Sequence, residues 1–146
     1  MATEIEHKYI VNNDSYVKLS NQCNHIIQGY LSRVPDRTVR VRIFNDCGYL
    51  TVKSKNHGDT RLEFEYQIPP EDARQMLALC EPPVIEKYRY IVDYEGFRWE
   101  VDQFVAPGVM TVAEIELPSS DTTYPLPPFV GRNVTGNPEY YNSNLK

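Results

Sequence analysis

Cysteine is scarce in this sequence, and the little there is has no pattern. Cys23, Cys47 and Cys80 are odd in number and scattered, with no CxxC or Cys/His spacing. Neither a disulfide framework nor a zinc site is indicated. Long apolar runs are missing as well: no stretch approaches the roughly 20 residues that a membrane helix needs. The first residues are charged, without the basic and apolar regions of a signal peptide. A cytoplasmic protein with reduced thiols and no membrane partner is the expectation. A basic surplus is also absent. Fifteen Lys and Arg against 20 Asp and Glu leave a formal charge of −5, which argues against bulk nucleic-acid binding. There is no internal repeat and no low-complexity tract.

What is present is alternation. The stretch TEIEHKYI at residues 3–10 sets Glu4, Glu6 and Lys8 against Ile5, His7 and Tyr9. In a strand, side chains two apart share a face. Strands are expected near 3–11, 24–33, 37–45, 49–55, 61–68, 84–94, 97–104 and 111–117, separated by turn signals such as Asn45-Asp46 and Glu95-Gly96. A helix opens at Pro70-Glu71-Asp72 and runs to about Leu79, a shorter one lies near 14–20, Phe129–Val134 suits a helical turn, and a final helix covers about 138–145. The length of 146 residues suits a single domain over the whole chain. Roughly eight antiparallel strands with short connections point to a closed barrel or a strongly curved sheet.

Sorting the strands by parity gives same-sign ionic faces. Glu63 and Glu65, Glu100 and Asp102, and Glu114 and Glu116 join Glu4 and Glu6 as acids. Arg40 and Arg42, Lys53 and Lys55, and Lys87 and Arg89 join Lys8 as bases. The bland account is a core-facing apolar side and a solvated charged side. Like charges two apart are unfavourable unless a counter-charge lies near, and the opposite faces are rich in Tyr and Phe, which tolerate partial wetting. A barrel turned charged side inward would be a wet tunnel. Its acids would want hard divalent cations, and its bases, Arg above all, would want phosphate oxygens. A metal-bound oligophosphate satisfies both.

The ordered series resembles the CYTH superfamily, the triphosphate tunnel metalloenzymes. The matching residues are Glu4-Ile5-Glu6-His7-Lys8, Gln28-Gly29-Tyr30-Leu31, Arg40 with Arg42, Leu50–Lys55, Glu63 with Glu65, Lys87 with Arg89, Glu100-Val101-Asp102 and Glu114 with Glu116. Tyr140-Tyr141-Asn142-Ser143-Asn144 is similar to the end of the short bacterial tripolyphosphatase-like branch. The resemblance implies an eight-stranded antiparallel barrel that is mainly β, hydrolysing inorganic tripolyphosphate with Mg²⁺ or Mn²⁺. It implies Glu4, Glu6, Asp102, Glu114 and Glu116 as metal ligands, and Lys8, Arg40, Arg42, Lys53, Lys87 and Arg89 as phosphate-binding residues. Glu63, Glu65 and Glu100 would orient those bases, and Lys53 with Tyr30 would form a catalytic pair. Class IV adenylate cyclase, thiamine triphosphatase and a non-catalytic polyphosphate- or nucleotide-binding module are the alternatives. The partner expected is a small anionic substrate, and the Tyr-rich exterior leaves room for a homodimer.

Overall fold

The computed structural model describes residues 3–145. The chain runs β1 (Thr3–Val11), α1 (Ser15–Leu19), β2 (Gln22–Ser32), β3 (Arg37–Phe44), β4 (Cys47–Ser54), β5 (Thr60–Ile68), α2 (Pro70–Leu77), β6 (Glu81–Tyr94), β7 (Phe97–Ala106), β8 (Met110–Glu116) and β9 (Val130–Asn133). All pairings between strands are antiparallel, in the order β5-β4-β3-β2-β6-β7-β8-β1, and β1 returns to β5 through Glu4 opposite Arg61. That pairing closes an eight-stranded barrel. Short turns make it possible. Glu95 and Gly96, at φ 48° and 84°, form a two-residue connection between β6 and β7, the left-handed geometry that matches strand twist in tight hairpins.

Most of the apolar core lies outside the barrel wall. Tyr9, Val101, Ala113, Ile115 and Trp99 turn outward and pack with Tyr16 of α1 and Phe129 of the connection after β8. Tyr124 of that connection rests its ring on Trp99 at 5.7 Å and accepts or donates to the Tyr9 hydroxyl at 2.7 Å. α2 covers a second sector. Its Ala73 is fully buried, and a Cβ on Gly48 would stand 2.9 Å from the Ala73 Cβ, so glycine there allows the close approach. The outer face of β5 is left bare at Leu62, Phe64 and Tyr66.

Inside the barrel, the inward parity changes character along its length. Tyr30, Ile85, Phe104 and Val112 fill one end, with Tyr140 and Leu145 packed against them. The remaining lumen is polar and charged.

Two expected helices take other forms. Residues 130–133 form β9 instead of a helical turn. The edge of β1 that β5 leaves free beyond Ile5 is taken up by Val130 and Asn133, and ladder pairing outweighs local preference there. The final segment is two short 3₁₀ turns, Pro138–Tyr140 and Asn142–Asn144, not one helix. Asn and Ser are weak helix formers, and tertiary bonds hold the segment: Lys8 Nζ donates to the Tyr140 carbonyl at 2.9 Å and Arg33 Nη1 to that of Ser143 at 2.6 Å. Among the described residues no helix is long and apolar enough to cross a membrane.

Candidate active site

The charged lumen is a cavity of about 240 Å³ lined by residues from both ends of the sequence. Eight carboxylates and six cationic side chains face it. Eight of them define two walls. β3, β4 and β6 contribute Arg40, Arg42, Lys53 and Arg89, and β1 and β8 contribute Glu4, Glu6, Glu114 and Glu116.

The basic wall is neutralised from within. Arg40 and Arg42 each donate through Nη2 to one Glu65 oxygen, at 3.3 and 3.2 Å. Thr51, opposite both Arg40 and Glu65 in the ladders, donates to that same oxygen at 2.8 Å. Burial raises the Glu65 pKa, but Arg42, Thr51 and Arg40 outweigh it and leave it lowered. Burial, with Arg40 and Arg89 nearby, lowers Arg42 to about 10, which keeps it charged at neutral pH. Arg89 donates through Nε and Nη2 to the two Asp102 oxygens at 2.8 and 2.9 Å, a forked geometry that fixes the guanidinium plane. Glu100 adds a contact at 3.4 Å.

Asp102 thereby sits apart from the other acids expected to hold metal. It is fully buried, its oxygens are engaged by Arg89 and by Lys87 Nζ at 2.7 Å, and it does not line the cavity. Burial opposes its charge, yet Arg89 and Lys87 bring its pKa down to about 2. Lys87, expected at the phosphate site, likewise does not line the cavity. It is fully buried behind the wall, with its ammonium over the Phe104 ring at 5.0 Å. Burial takes its pKa down to about 8, partly offset by Asp102. Parity placed both residues inward; it could not tell lumen surface from the packed layer beneath it.

The acid wall is only partly balanced. Glu4 receives Lys53 on both oxygens at 3.2 Å and Arg61 Nε on one at 3.2 Å. These cations lower its pKa against the effect of burial. Lys8 meets Glu114 at 3.2 Å. Glu6 and Glu116 face each other across the β1–β8 ladder, and neither forms an ion pair among the described residues. Burial, then Glu114 and Glu4, raises Glu6 well above the usual carboxylate range. Burial, then Glu4, Glu63 and Glu100, raises Glu116. Two unpaired acids in an all-oxygen setting fit a hard divalent cation. As placed, no three acidic, His or Cys side chains among the described residues converge at ligand spacing, because cationic side chains hold Glu4 and Glu114.

Lys53 lies between Glu4 and Glu63, the latter at 3.3 Å. Tyr30 lines the same cavity, but among the described residues no hydrogen bond joins it to Lys53. Lys55 is exposed past the end of β4. Several lining residues were not singled out from the sequence: Arg61, Thr38, Asn56, Asp59, Thr135, Tyr141 and Asn142. Arg61 shares the inward parity of Glu63 and Glu65, so strand alternation carried its signal. Thr38 likewise shares the inward parity of Arg40 and Arg42 on β3; the others sit in turns or the final segment, where no periodicity exists to read. His7 faces outward and joins Tyr124 at 2.6 Å and Asp59 at 3.0 Å, tying the connection after β8 to the cavity mouth.

A family model, the CYTH domain, matches residues 2–134. The chain belongs to the CYTH family. Among its CYTH-like relatives is the inorganic triphosphatase of Acetivibrio thermocellus, 50% identical over 99% of this chain and 94% of that protein. The solved structure of the inorganic triphosphatase NE1496 is 27% identical and superposes with a TM-score of 0.67 over 99% of this chain and 94% of that one. PH1012 of Pyrococcus horikoshii OT3, at 21% identity and a TM-score of 0.64 over 81% of this chain and 80% of that one, shares the fold. The CYTH model stops before the two 3₁₀ turns, so the final segment of the cavity lining lies outside the matched region.

Proposed function

We propose that this CYTH protein hydrolyses inorganic tripolyphosphate to pyrophosphate and phosphate with Mg²⁺ or Mn²⁺. The observation that carries the reading is the division of one cavity into a preassembled basic wall and an acid wall holding two unpaired carboxylates. The 50% identical inorganic triphosphatase supports it. In this reading Glu4, Glu6, Glu114 and Glu116 hold the cation. Bound there, the cation would neutralise phosphate charge and lower the pKa of a water molecule.

The side chains supply the rest. Arg40, Arg42 and Arg89 bind non-bridging oxygens, and Glu65 and Asp102 keep their guanidinium planes aimed. Lys8 and Lys53 add point charges on either side. Water attacks the terminal phosphorus, the P–O–P bond on its far side breaks, the electron pair leaves with pyrophosphate, and the proton given up by the water passes to a phosphate oxygen or to solvent. Fixed cations aimed at charge that spreads over the transferred group stabilise that transition state. Tyr30 borders the cavity from β2 and is placed to position substrate or water.

The test is a product assay with Mg²⁺ or Mn²⁺ on tripolyphosphate, ATP and thiamine triphosphate in parallel. Phosphate release favouring tripolyphosphate is the expected result. Cyclic AMP from ATP would reassign the protein to the cyclases, and an inert folded sample would leave a binding module.

A further inference from the structure

Arg61 interrupts the charge pattern of the cavity. It is followed on the inward face of β5 by Glu63 and Glu65, and it stands at the seam where β5 meets β1. Its Nε donates to Glu4 Oε1 at 3.2 Å. Among the described residues its two Nη groups donate to no protein acceptor, and the side chain, 22% exposed, lines the cavity. The other lumen guanidiniums differ. Arg40 and Arg42 are held by Glu65, and Arg89 by Asp102 and Glu100, acids that do not belong to the proposed cation site. Arg61 alone among them is held by a carboxylate of that site.

That placement sets up a competition. A carboxylate oxygen bound to a divalent cation is a much poorer acceptor for a guanidinium beside it. The repulsion between the two positive groups also favours separation. The guanidinium has the rest of the cavity to turn into, where its unengaged fork matches two phosphate oxygens. Resting on the hydrolase reading above, we infer that Arg61 is a substrate-binding residue engaged by exchange: Glu4 holds it until a divalent cation takes that carboxylate, and the freed fork then binds a phosphate group of tripolyphosphate. Cation and substrate thereby favour each other's binding through one side chain, and the coupling is reciprocal.

The experiment compares wild type, Arg61→Gln and Arg61→Lys, with folding checked by near-UV circular dichroism. Free Mn²⁺ is measured by electron paramagnetic resonance without substrate, and kcat and KM for tripolyphosphate are measured at saturating Mn²⁺. Removing one of the two competitors for Glu4, with Lys53 left in place, should tighten Mn²⁺ binding in Arg61→Gln by roughly fivefold. Losing the fork should raise KM by about tenfold, with a smaller change in kcat. Arg61→Lys keeps the charge but not the fork, so its KM should fall between the two. Unchanged or weaker Mn²⁺ binding in Arg61→Gln, or a wild-type KM, beside an active wild type overturns this inference alone. A wild type inert toward tripolyphosphate overturns the hydrolase reading and the inference with it.

Discussion

The two walls of the cavity solve the problem of enclosed charge in opposite ways. On the basic wall each lumen guanidinium has an acid assigned to it: Glu65 under Arg40 and Arg42, Asp102 under Arg89. On the acid wall Glu6 and Glu116 have none, and their pKa values rise. Fixed anions paired with the bases make a rigid binding surface whose charges are already in place before substrate arrives. Acids left without fixed cations make a surface that accepts a removable one. The difference separates a wall built for geometry from a wall built for exchange.

The largest effect should come from the acid wall. Glu6→Gln or Glu116→Gln should lower metal-dependent phosphate release by about 10³-fold, several kcal/mol of transition-state stabilisation. A rate within about tenfold of wild type would refute the assignment of that carboxylate. Next is Asp102→Asn, which leaves Arg89 and Lys87 without their buried counter-charge. Urea melts should show a loss of about 3–5 kcal/mol, with a raised KM for tripolyphosphate. Mn²⁺ affinity should stay at the wild-type value; a clear fall would return Asp102 to the metal site.

Asp102 and Glu6 should also respond to pH with opposite signs. Asp102 has its pKa lowered from 3.8 to about 2, so its contribution is complete above 3.8 and is lost as pH falls through 2. Glu6 has a raised pKa, so the folded state binds more protons than the unfolded one above pH 4.5, and stability declines as pH rises through the raised value. Urea unfolding against pH should show an acid slope that Asp102→Asn reduces, with acids such as Glu4 and Glu65 supplying the remainder, and a decline at higher pH that Glu6→Gln reduces. Added Mg²⁺ or Mn²⁺ should offset the decline in wild type and raise the stability of Glu6→Gln far less. The smallest effect belongs to Lys55→Ala: an exposed side chain beyond both walls should leave kcat and KM within about twofold.

Much of this was legible in the sequence because strand parity is a local rule. Alternation at Glu4-Ile5-Glu6 and Arg40-Val41-Arg42 put charges on one face, and the ladders set those faces inward. The same rule held Arg61, which stands between Thr60 and Leu62 in the alternating run to Ile68. Parity says nothing of depth, and that is where the positions of Asp102 and Lys87 departed from expectation. Nor does it reach irregular segments. Residues 130–133 found a free edge of β1, and the chain after Asn137 was shaped by Lys8 and Arg33, residues more than a hundred positions away.

The sequence by itself determined the strand series, the sorting of charge to one face and the residue types available for cation and phosphate, because period-2 patterning and ionic chemistry are properties of near neighbours. Closure of β1 on β5, the pairing of each base with its acid, the withdrawal of Asp102 and Lys87 behind the lumen and the delivery of Arg61 to Glu4 were decided only in three dimensions. Each depends on distances between strands that lie far apart along the chain, and the low polarity of an enclosed site makes those distances decide which charges pair and which remain free.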